Sequence, residues 1–441
     1  MGLKTFPGGV HPHDNKEFSK KSAIEKFPIP AKVVIPLSQH IGAPSKPIVK
    51  VGDIVKKGQK ISEAGGFVSI PMHASISGKI TKIAKFTHPT GTLQPAIEIT
   101  GDGEDNSVDF TNDKNYMEIS DDDMKKRISE AGVCGMGGAG FPTHVKLSPP
   151  KGKDIDTIIL NGVECEPYLT ADYRLMLEKA EDMIKGLKIL MKIVNASKGI
   201  IGIEANKMDA IKSIKNLVKN ETNISVTGLK LRYPQGAEKQ LIFAATGRKV
   251  PNKGGLPMDV KVVVQNVGTA VAVYEAVHYQ KPLIERIITI TGKIVKKPKN
   301  LMAPIGTSYG ELLEYCEGTS ETIGKVISGG PMMGFAIPTL DTPMTKGSSG
   351  LVLFNKKEAK KMGEDTCLRC ARCVDVCPMD LLPSLIAQSV RYDDYKFAEK
   401  YGVMDCIKCG SCAYVCPSNI KLIQWIDIGK LKVMEQRRAA K

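Results

Sequence analysis

Eight of the eleven cysteines of this 441-residue chain lie between residues 367 and 416, as two copies of one spacing. The first copy is Cys367-x-x-Cys370-x-x-Cys373-x-x-x-Cys377-Pro378, and the second is Cys406-x-x-Cys409-x-x-Cys412-x-x-x-Cys416-Pro417. Three thiolates that are each separated by two residues can bind three irons of one cubane from a single loop. The spacing therefore predicts metal ligation rather than disulfides, and with it a reducing compartment.

Each run ends in a fourth cysteine followed by proline, as in bacterial ferredoxins with two [4Fe-4S] clusters, where the fourth cysteine ligates the other cluster. We expect one cluster on Cys367, Cys370, Cys373 and Cys416, and the second on Cys406, Cys409, Cys412 and Cys377. Structural zinc is the alternative, but it needs four ligands per ion and does not call for this proline-terminated triplet. The other three thiols have no partners at ligand spacing and are expected to be buried and inert: Cys134, Cys165 and Cys316.

A second feature is the glycine-rich segment 135–143, which contains Gly135, Gly137, Gly138 and Gly140. Backbone N–H groups of such a loop can approach a phosphate or a flat ring closely because no side chain intervenes. Taken alone, a glycine-rich loop is more often a turn than a nucleotide site. Its neighbours in the sequence decide between these two interpretations.

Residues 161–167 follow a predicted strand at 157–160, where a parallel sheet presents its ligand-binding residues. Asn161, Glu164 and Glu166 in this segment can accept hydrogen bonds from ribityl or ribose hydroxyls. The alternative is that the two glutamates cap the helix predicted to begin near Ala171. Because the glycine loop lies close by in the sequence, we favour the binding site.

The rest of the pattern predicts four domains. Short strands at 32–36, 51–59 and 74–80 resemble the barrel-sandwich domain of biotinyl and lipoyl carriers, although the hairpin at 63–69 has no modifiable lysine. Residues 120–123 predict a capping box for a helix at 124–130. Predicted strands at 157–160, 199–203 and 224–229 then alternate with predicted helices at 171–194 and 207–219, which favours a parallel sheet, and strands return after Val260. We expect a barrel-sandwich domain at 1–110, an α/β domain at 111–255, a small α+β domain at 256–350 and the cysteine domain at 356–441.

Residues 137–143 with Lys146, and residues 161–167, resemble the FMN- and NADH-binding loops of the flavin subunit of respiratory complex I. Residues 234–238 and 265–269 resemble its later flavin-contacting segments. Over its whole length the chain resembles the C subunits of the Rnf ion-translocating oxidoreductases, including residues 8–12, 39–42 and 327–334. The resemblance implies a multidomain α/β and α+β chain with a barrel-sandwich hybrid, a Rossmann-like FMN/NADH-binding domain, a β-grasp (SLBB) domain and an α-helical two-cluster ferredoxin domain.

The resemblance also implies roles for single residues. Gly137, Gly138 and Gly140 would hold the cofactor phosphate, with Lys146 adding positive charge. The flavin would be contacted by Asn161, Glu164, Glu238, Asn266 and Thr269, while Phe141 and Glu166 would face the dinucleotide. Two positions depart from the complex I pattern: Val163 replaces an aspartate that usually touches the flavin, and residues 147–149 lack the aromatic side chains that help to hold the adenine. No side chain is expected to act as a nucleophile or general base.

The net charge of +15 favours anionic lipid headgroups or acidic protein partners. Nucleic acid is the weakest partner class, because only 5% of the residues are aromatic and no basic motif is interleaved with stacking rings. We find no apolar run of 18 residues and no export signal, and expect a peripheral protein at the cytoplasmic face of the cell membrane. The resemblance implies that integral membrane subunits that move Na⁺ or H⁺ hold it there, beside an iron–sulfur subunit that receives electrons from ferredoxin.

The predicted activity is that of an oxidoreductase and translocase subunit that passes electrons between NAD(H), FMN and the two clusters. A hydride carries two electrons and each cubane accepts one, so a flavin is needed between them. Two alternatives remain open. One is a diaphorase-like subunit of a soluble complex, and the other is an iron–sulfur relay or scaffold that has lost its flavin.

Overall fold

The computed structural model describes residues 2–360 and 362–439. The predicted domain ranges 1–110 and 356–441 include Met1, Lys361, Ala440 and Lys441, which lie outside the described residues. The described strands form three main sheets and a two-stranded ribbon. Within the described ranges, no helix has both the length and the apolar character that a membrane span requires.

The first main sheet is antiparallel and forms the predicted barrel-sandwich domain. Its strands, in order across the sheet, are Lys32–Pro36, Leu93–Gly101, Gly78–Thr87 and Ile54–Val55. The two-stranded ribbon pairs Lys46–Pro47 with Ser62–Glu63. Ile97 and Ile99 alternate with Glu98 along one strand and are fully buried, as expected for a sheet with one face on the core.

The second sheet is parallel, as the alternation of strands and helices predicted. Its order is Ile224–Leu229, Lys198–Glu204, Thr157–Gly162 and Val262–Asn266. The last strand lies beyond the predicted boundary between residues 255 and 256, so that boundary falls inside this sheet. The α/β domain runs on through the helix Val267–His278, whose N-terminus continues directly from the strand.

Helices cover the parallel sheet and connect its strands. The α-helices are Asp121–Glu130, Thr143–Lys146, Ala171–Glu178, Ala180–Ile193, Met208–Leu217, Glu238–Thr246 and Val267–His278, with 3-10 turns at Ala205–Lys207 and Pro257–Val260. The first begins at Asp121, three residues before the predicted start at 124, because the Ser120 hydroxyl caps it by accepting a hydrogen bond from the Asp123 N–H at 3.1 Å. A single apolar core joins these helices to the barrel-sandwich domain, so the two domains pack as one body.

The third sheet is mixed and has six strands. Their order is Ile24–Lys26, Lys299–Pro304, Glu285–Thr291, Gly350–Asn355, Ile323–Ser328 and Phe335–Ala336. The helix Tyr309–Tyr315 packs on it with Ile288, Ile290 and Leu351. The strand Gly350–Asn355 extends past the predicted end of this domain at residue 350, since it pairs with two strands of the sheet.

The N-terminal segment 2–28 contacts the α/β domain, the cysteine domain and the mixed sheet. The Lys4 N–H donates to the Gly228 carbonyl, and the Val10 N–H donates to the Tyr233 carbonyl. Further along come the 3-10 turn Lys16–Phe18 and the strand Ile24–Lys26, which joins the mixed sheet. The segment therefore straps the α/β domain to the mixed sheet.

The cysteine domain is helical. Its helices are Arg372–Asp375, Pro383–Arg391, Tyr395–Lys400, Ser411–Tyr414 and Leu422–Ala439, with a 3-10 turn at Val403–Asp405. Ile386, Val390, Ile426 and Val433 form its apolar centre. In each cysteine run the first two cysteines lie in a loop, the third lies in one of the two short helices, and the fourth follows that helix.

Candidate functional site

The glycine loop is fixed at its base and open at its crest. The Gly135 N–H donates to the Phe141 carbonyl at 2.9 Å, and this bond closes the loop. The Met136 N–H donates to the Thr269 hydroxyl at 3.0 Å, and the Arg286 guanidinium donates to the Met136 carbonyl at 2.7 Å. Residues 137–139 are exposed. The backbone of these three residues is therefore accessible to a ligand.

Two of the predicted glycines are required by their surroundings. A Cβ atom on Gly137 would lie 2.8 Å from Nδ2 of Asn266, which is closer than side-chain carbons approach. Gly140 has a φ of +68°, and its carbonyl accepts a hydrogen bond from the Ile41 N–H of the barrel domain at 3.2 Å. A Cβ atom on Gly138, in contrast, would meet no other atom within 4 Å, so open space adjoins the loop there.

Asn266 and Thr269 link the glycine loop to the end of the parallel sheet. The Asn266 carboxamide oxygen accepts from the Gly268 N–H at 2.8 Å and so caps the helix Val267–His278. Its Nδ2 donates to Asp172 at 2.7 Å. Burial, together with the neighbouring Glu164 carboxylate, raises the pKa of Asp172 to about 6. Asn266 and Thr269 thus both lie at the site, where they contact the glycine loop on the side of the parallel sheet.

A second group of predicted residues gathers beside this one. The Asn161 side chain donates to the Gly236 carbonyl at 2.8 Å, which joins two of the predicted flavin segments. Lys146, at the end of the helix after the glycine loop, forms an ion pair of 2.6 Å with Glu238. Four segments that are distant in sequence therefore converge at the carboxyl ends of the strands, as the parallel sheet predicted.

The two glutamates of segment 161–167 both accept hydrogen bonds from protein N–H groups. Glu164 accepts from the N–H groups of Asp172 (2.7 Å) and Tyr173 (3.2 Å), so for this residue the helix-capping alternative is correct. Glu166 accepts from the Met332 N–H at 3.0 Å and lies 3.4 Å from the Tyr233 hydroxyl. Desolvation raises the pKa of Glu166 to about 7. Its carboxyl group contacts Met332, which follows a strand of the mixed sheet, and the dinucleotide contact of Glu166 stays a prediction.

Sequence reasoning missed four buried cations that hold the site loops. Arg286 and Lys346 lie beneath the glycine loop, where Lys346 donates to the Gly132 carbonyl at 2.7 Å and burial lowers its pKa to about 8. Lys16 donates to the Glu166 carbonyl at 3.0 Å, and Lys207 donates to the Val163 carbonyl at 2.7 Å. No local pattern marks these residues, because each bonds to a segment far away in the sequence.

The arrangement fits a flavin mononucleotide. The loop offers side-chain-free N–H groups for a phosphate, and Gly137 leaves no room for a side chain against Asn266. Lys146 adds a cation at the same end of the sheet. Phe141 is half-buried at the end of the loop. The predicted residues named in this paragraph therefore all lie at the site. Val163 is buried in the core of the α/β domain.

One of the two predicted thiol sets lines a single pocket. Cys377, Cys406, Cys409 and Cys412 surround it, together with apolar neighbours such as Ile386. Three of these thiols come from the second cysteine run and one from the first, as the crossed assignment predicted. Burial raises the pKa of Cys406 to about 11 and also raises the pKa of Cys377, Cys409 and Cys412. Four sulfurs around an apolar pocket fit a [4Fe-4S] cluster.

The other thiol set lies nearer the surface. Cys373 and Cys416 pack in an apolar group that includes Trp425, while Cys367 and Cys370 are exposed in the preceding loop. Each cysteine of a cubane binds a different iron, so neither thiol set has to converge on one ion. Accordingly, in residues 2–360 and 362–439 no three His, Cys, Asp or Glu side chains are grouped as ligands of a single metal ion. Of the thiols outside the motifs, Cys134 and Cys316 are buried as expected, whereas Cys165 is half-buried.

Tyr233 joins the two candidate sites. Its hydroxyl donates to the Cys409 carbonyl at 2.8 Å, and its ring packs with Cys165 and Val10. The Gly236 N–H points to the sulfur of Cys165 at 3.4 Å, so the residues around Tyr233 reach the segment that Asn161 binds. Thus one side chain separates the flavin segments from the buried thiol set.

Comparisons with known proteins match all four domains. The chain matches the RnfC barrel sandwich hybrid domain over residues 4–104 and the Nuo51 FMN-binding domain over residues 128–275. It matches the SLBB domain over residues 287–336 and the 4Fe-4S dicluster domain over residues 360–417. The predicted fold classes are thereby confirmed, and the FMN-binding match continues past residue 255, as the parallel sheet does.

A solved structure of an NAD⁺-reducing [NiFe]-hydrogenase in the H₂-reduced state is similar in fold. Its TM-score is 0.50 at 17% sequence identity, and the match covers 74% of this chain and 63% of that chain. At this identity the likeness concerns the fold alone.

Curated relatives cover most of the chain. The C subunit of the proton-translocating ferredoxin:NAD⁺ oxidoreductase complex of Clostridium ljungdahlii is 49% identical over 90% of this chain and 86% of its own length. The Na⁺-translocating counterpart of Acetobacterium woodii is 45% identical over 87% of each chain. The C subunit of the ion-translocating oxidoreductase complex of Haemophilus influenzae is 38% identical over 100% of this chain and 68% of its own length. The chain belongs to the family formed by the C subunits of the ion-translocating ferredoxin:NAD⁺ oxidoreductase complexes.

Proposed function

We propose that this chain is the NADH/NAD⁺-reacting subunit of a membrane-bound ferredoxin:NAD⁺ oxidoreductase that translocates Na⁺ or H⁺. The observation that carries the proposal is the contact through Tyr233, which places the flavin segments beside a buried set of four cysteines. FMN, when bound, exchanges two electrons with nicotinamide and single electrons with clusters. The chain's own residues bind and orient these groups.

The packing of the cysteine domain supports an order for the two clusters. The buried set lies against the α/β domain, where Tyr233 bonds to Cys409 and the Gln240 side chain donates to the Pro378 carbonyl at 2.8 Å. Cys367 and Cys370 of the other set are exposed. We therefore place the buried cluster next to the flavin and the exposed cluster next to the partner subunits.

The partners in this proposal are integral membrane subunits and an iron–sulfur subunit that receives electrons from ferredoxin. The names of the relatives describe complexes of several subunits. A net charge of +15 favours an anionic surface or an acidic partner. We place the chain at the cytoplasmic face of the cell membrane, held there by the other subunits.

Anaerobic stopped-flow spectroscopy tests the function directly. The protein reconstituted with FMN and iron–sulfur clusters is mixed with NADH, and flavin and cluster absorbance are followed separately. We expect the flavin to bleach first and the clusters to follow. A bound flavin that NADH does not bleach, or a chain that retains no FMN, would leave only the relay interpretation.

Replacing Tyr233 with phenylalanine tests the junction. The change removes the hydroxyl that donates to the Cys409 carbonyl and leaves that carbonyl without this partner. The hydroxyl proton offsets the negative end of the Cys409 carbonyl dipole beside the thiol set, so without it we expect the potential of the buried cluster to fall on the order of tens of millivolts. A redox titration followed by electron paramagnetic resonance measures the shift.

Tyr309 provides the matched control for this variant. Its buried hydroxyl bonds to Ser328 and Ser348 in the mixed sheet, away from both cysteine runs. Tyr309→Phe is expected to leave both cluster potentials unchanged. Equal potentials in the Tyr233→Phe variant and in the native chain would show that the hydroxyl does not influence the cluster.

A further inference from the structure

The barrel-sandwich domain presents an aromatic side chain at the tip of a hairpin. In biotinyl and lipoyl carriers the corresponding hairpin carries the modified lysine, but residues 63–69 of this chain contain Phe67 at the tip. The Phe67 side chain is 74% exposed, although exposing a large apolar ring to water is unfavourable. Nothing in the core of the barrel domain explains this position.

The hairpin is held firmly by the neighbouring loop. The Ala43 N–H donates to the Val68 carbonyl at 3.0 Å, and the Ser69 hydroxyl donates to the Ala43 carbonyl at 2.8 Å. The Gly65 N–H in turn donates to the Ser69 hydroxyl at 2.9 Å. These bonds fix the direction of the tip, so little conformational entropy would be lost if the ring bound a ligand.

The same loop connects the hairpin to the glycine loop. The Ile41 N–H donates to the Gly140 carbonyl at 3.2 Å, and the main chain of Phe67 lies against the imidazole of His144. His144 belongs to the helix Thr143–Lys146, which follows the glycine loop and ends in the Lys146 ion pair with Glu238. Phe67 therefore stands at the rim of the candidate nucleotide site, although it comes from another domain.

We propose that Phe67 stacks on the adenine ring of NAD(H) and supplies from the barrel domain the aromatic surface that residues 147–149 lack. The crest of the glycine loop, residues 137–139, is exposed and has no ring of its own. A nucleobase has an apolar face that stacks on aromatic side chains. This inference rests on the proposed function, because it assumes that the same site accepts the dinucleotide.

The variant Phe67→Ala tests the inference in two ways. Calorimetric titration with ADP-ribose, which contains the adenine but no nicotinamide, is expected to show affinity lower by about 5- to 150-fold, the usual effect of losing one stacking ring. In NADH kinetics the KM is expected to rise by a similar factor while kcat is unchanged. With reduced nicotinamide mononucleotide, which lacks the adenine, the KM is expected to stay the same. Phe67→Trp should restore the native values.

The control variant is Tyr392→Ala, which removes a similarly exposed ring (77%) from the cysteine domain. It should change neither the affinity for ADP-ribose nor the KM for NADH. Unchanged ADP-ribose binding in Phe67→Ala would overturn the inference, as would an equal rise of KM for both reductants. If the proposed function is wrong, the FMN of the native protein does not respond to NADH. ADP-ribose binding involves no redox step, so it tests the role of Phe67 independently of that result.

Discussion

Replacing Cys409 with alanine is expected to leave the NADH-driven bleaching of FMN intact and to abolish the reduction of both clusters by NADH. Cys409 is one of the four cysteines of the buried pocket, and its carbonyl receives the Tyr233 hydrogen bond. Without this ligand the buried cluster is lost, and about four irons per chain remain out of about eight. In the proposed order the exposed cluster receives electrons from NADH only through the buried cluster, so it stays oxidised. Iron analysis and stopped-flow absorbance measure the two effects.

Cys370→Ala removes a ligand of the exposed set and should give the opposite pattern. NADH is expected to reduce the remaining, buried cluster at the native rate, while electrons no longer reach an external acceptor protein. Cys316→Ala serves as the control, since Cys316 is buried in the mixed-sheet domain and belongs to neither run. If instead Cys370→Ala blocks cluster reduction and Cys409→Ala permits it, the order of the clusters is reversed.

Local sequence patterns were sufficient to predict the elements whose signals are local. The crossed cysteine spacing predicted which four thiols share the buried pocket, because each run brings three ligands in one loop. The strand Ile224–Leu229 has the predicted bounds, and Ser120 caps the predicted helix. The helix predicted over 171–194 is divided at Lys179, whose backbone leaves the helical region. The apolar periodicity of the sequence continues through Lys179, so the sequence did not predict that the helix is interrupted there.

Contacts between distant segments could not be predicted in the same way. The three residues of the strand Ile24–Lys26 have no apolar pattern that would predict the partner of the strand. The strand nevertheless pairs with Lys299–Pro304 and extends the mixed sheet. The strand Val262–Asn266 returns to the parallel sheet after the predicted boundary at 255, since it pairs with Thr157–Gly162. Strand pairing depends on partners elsewhere in the chain, and these partners leave no trace in the local sequence.

In the candidate site, too, features with a local sequence signal were predicted and long-range contacts were not. The glycine loop and the segments around Asn161, Glu238 and Asn266 were predicted and converge in the structure. Glu164 was assigned to the flavin because its sequence position suits either task, but the free N–H groups of a nearby helix bind its carboxylate. The buried cation Arg286 had no sequence signal, because its partner is the carbonyl of Met136, 150 residues away.

Replacing Gly137 with valine is expected to weaken FMN binding strongly. The Cβ atom alone would approach Asn266 Nδ2 to 2.8 Å and Asn266 Cγ to 3.1 Å, and a branched side chain adds two further carbons. Asn266 cannot yield without losing its helix cap and its bond to Asp172. Overpacking of this kind costs about 1 to 3 kcal/mol, which corresponds to FMN affinity lower by about 5- to 150-fold if the loop moves to relieve it. Quenching of flavin fluorescence measures the affinity.

Two further glycine variants separate packing from cofactor contact. Gly138 has open space beside it, so Gly138→Ala should leave the melting temperature of the FMN-free protein unchanged while it weakens FMN binding through the new methyl group. Gly137→Val should lower both the melting temperature of the FMN-free protein and the affinity for FMN. Gly363→Ala, in an exposed segment far from the loop in sequence, should affect neither. Native FMN affinity in Gly138→Ala would contradict a phosphate site at the crest of the loop, because the added methyl group occupies the space that a bound phosphate needs.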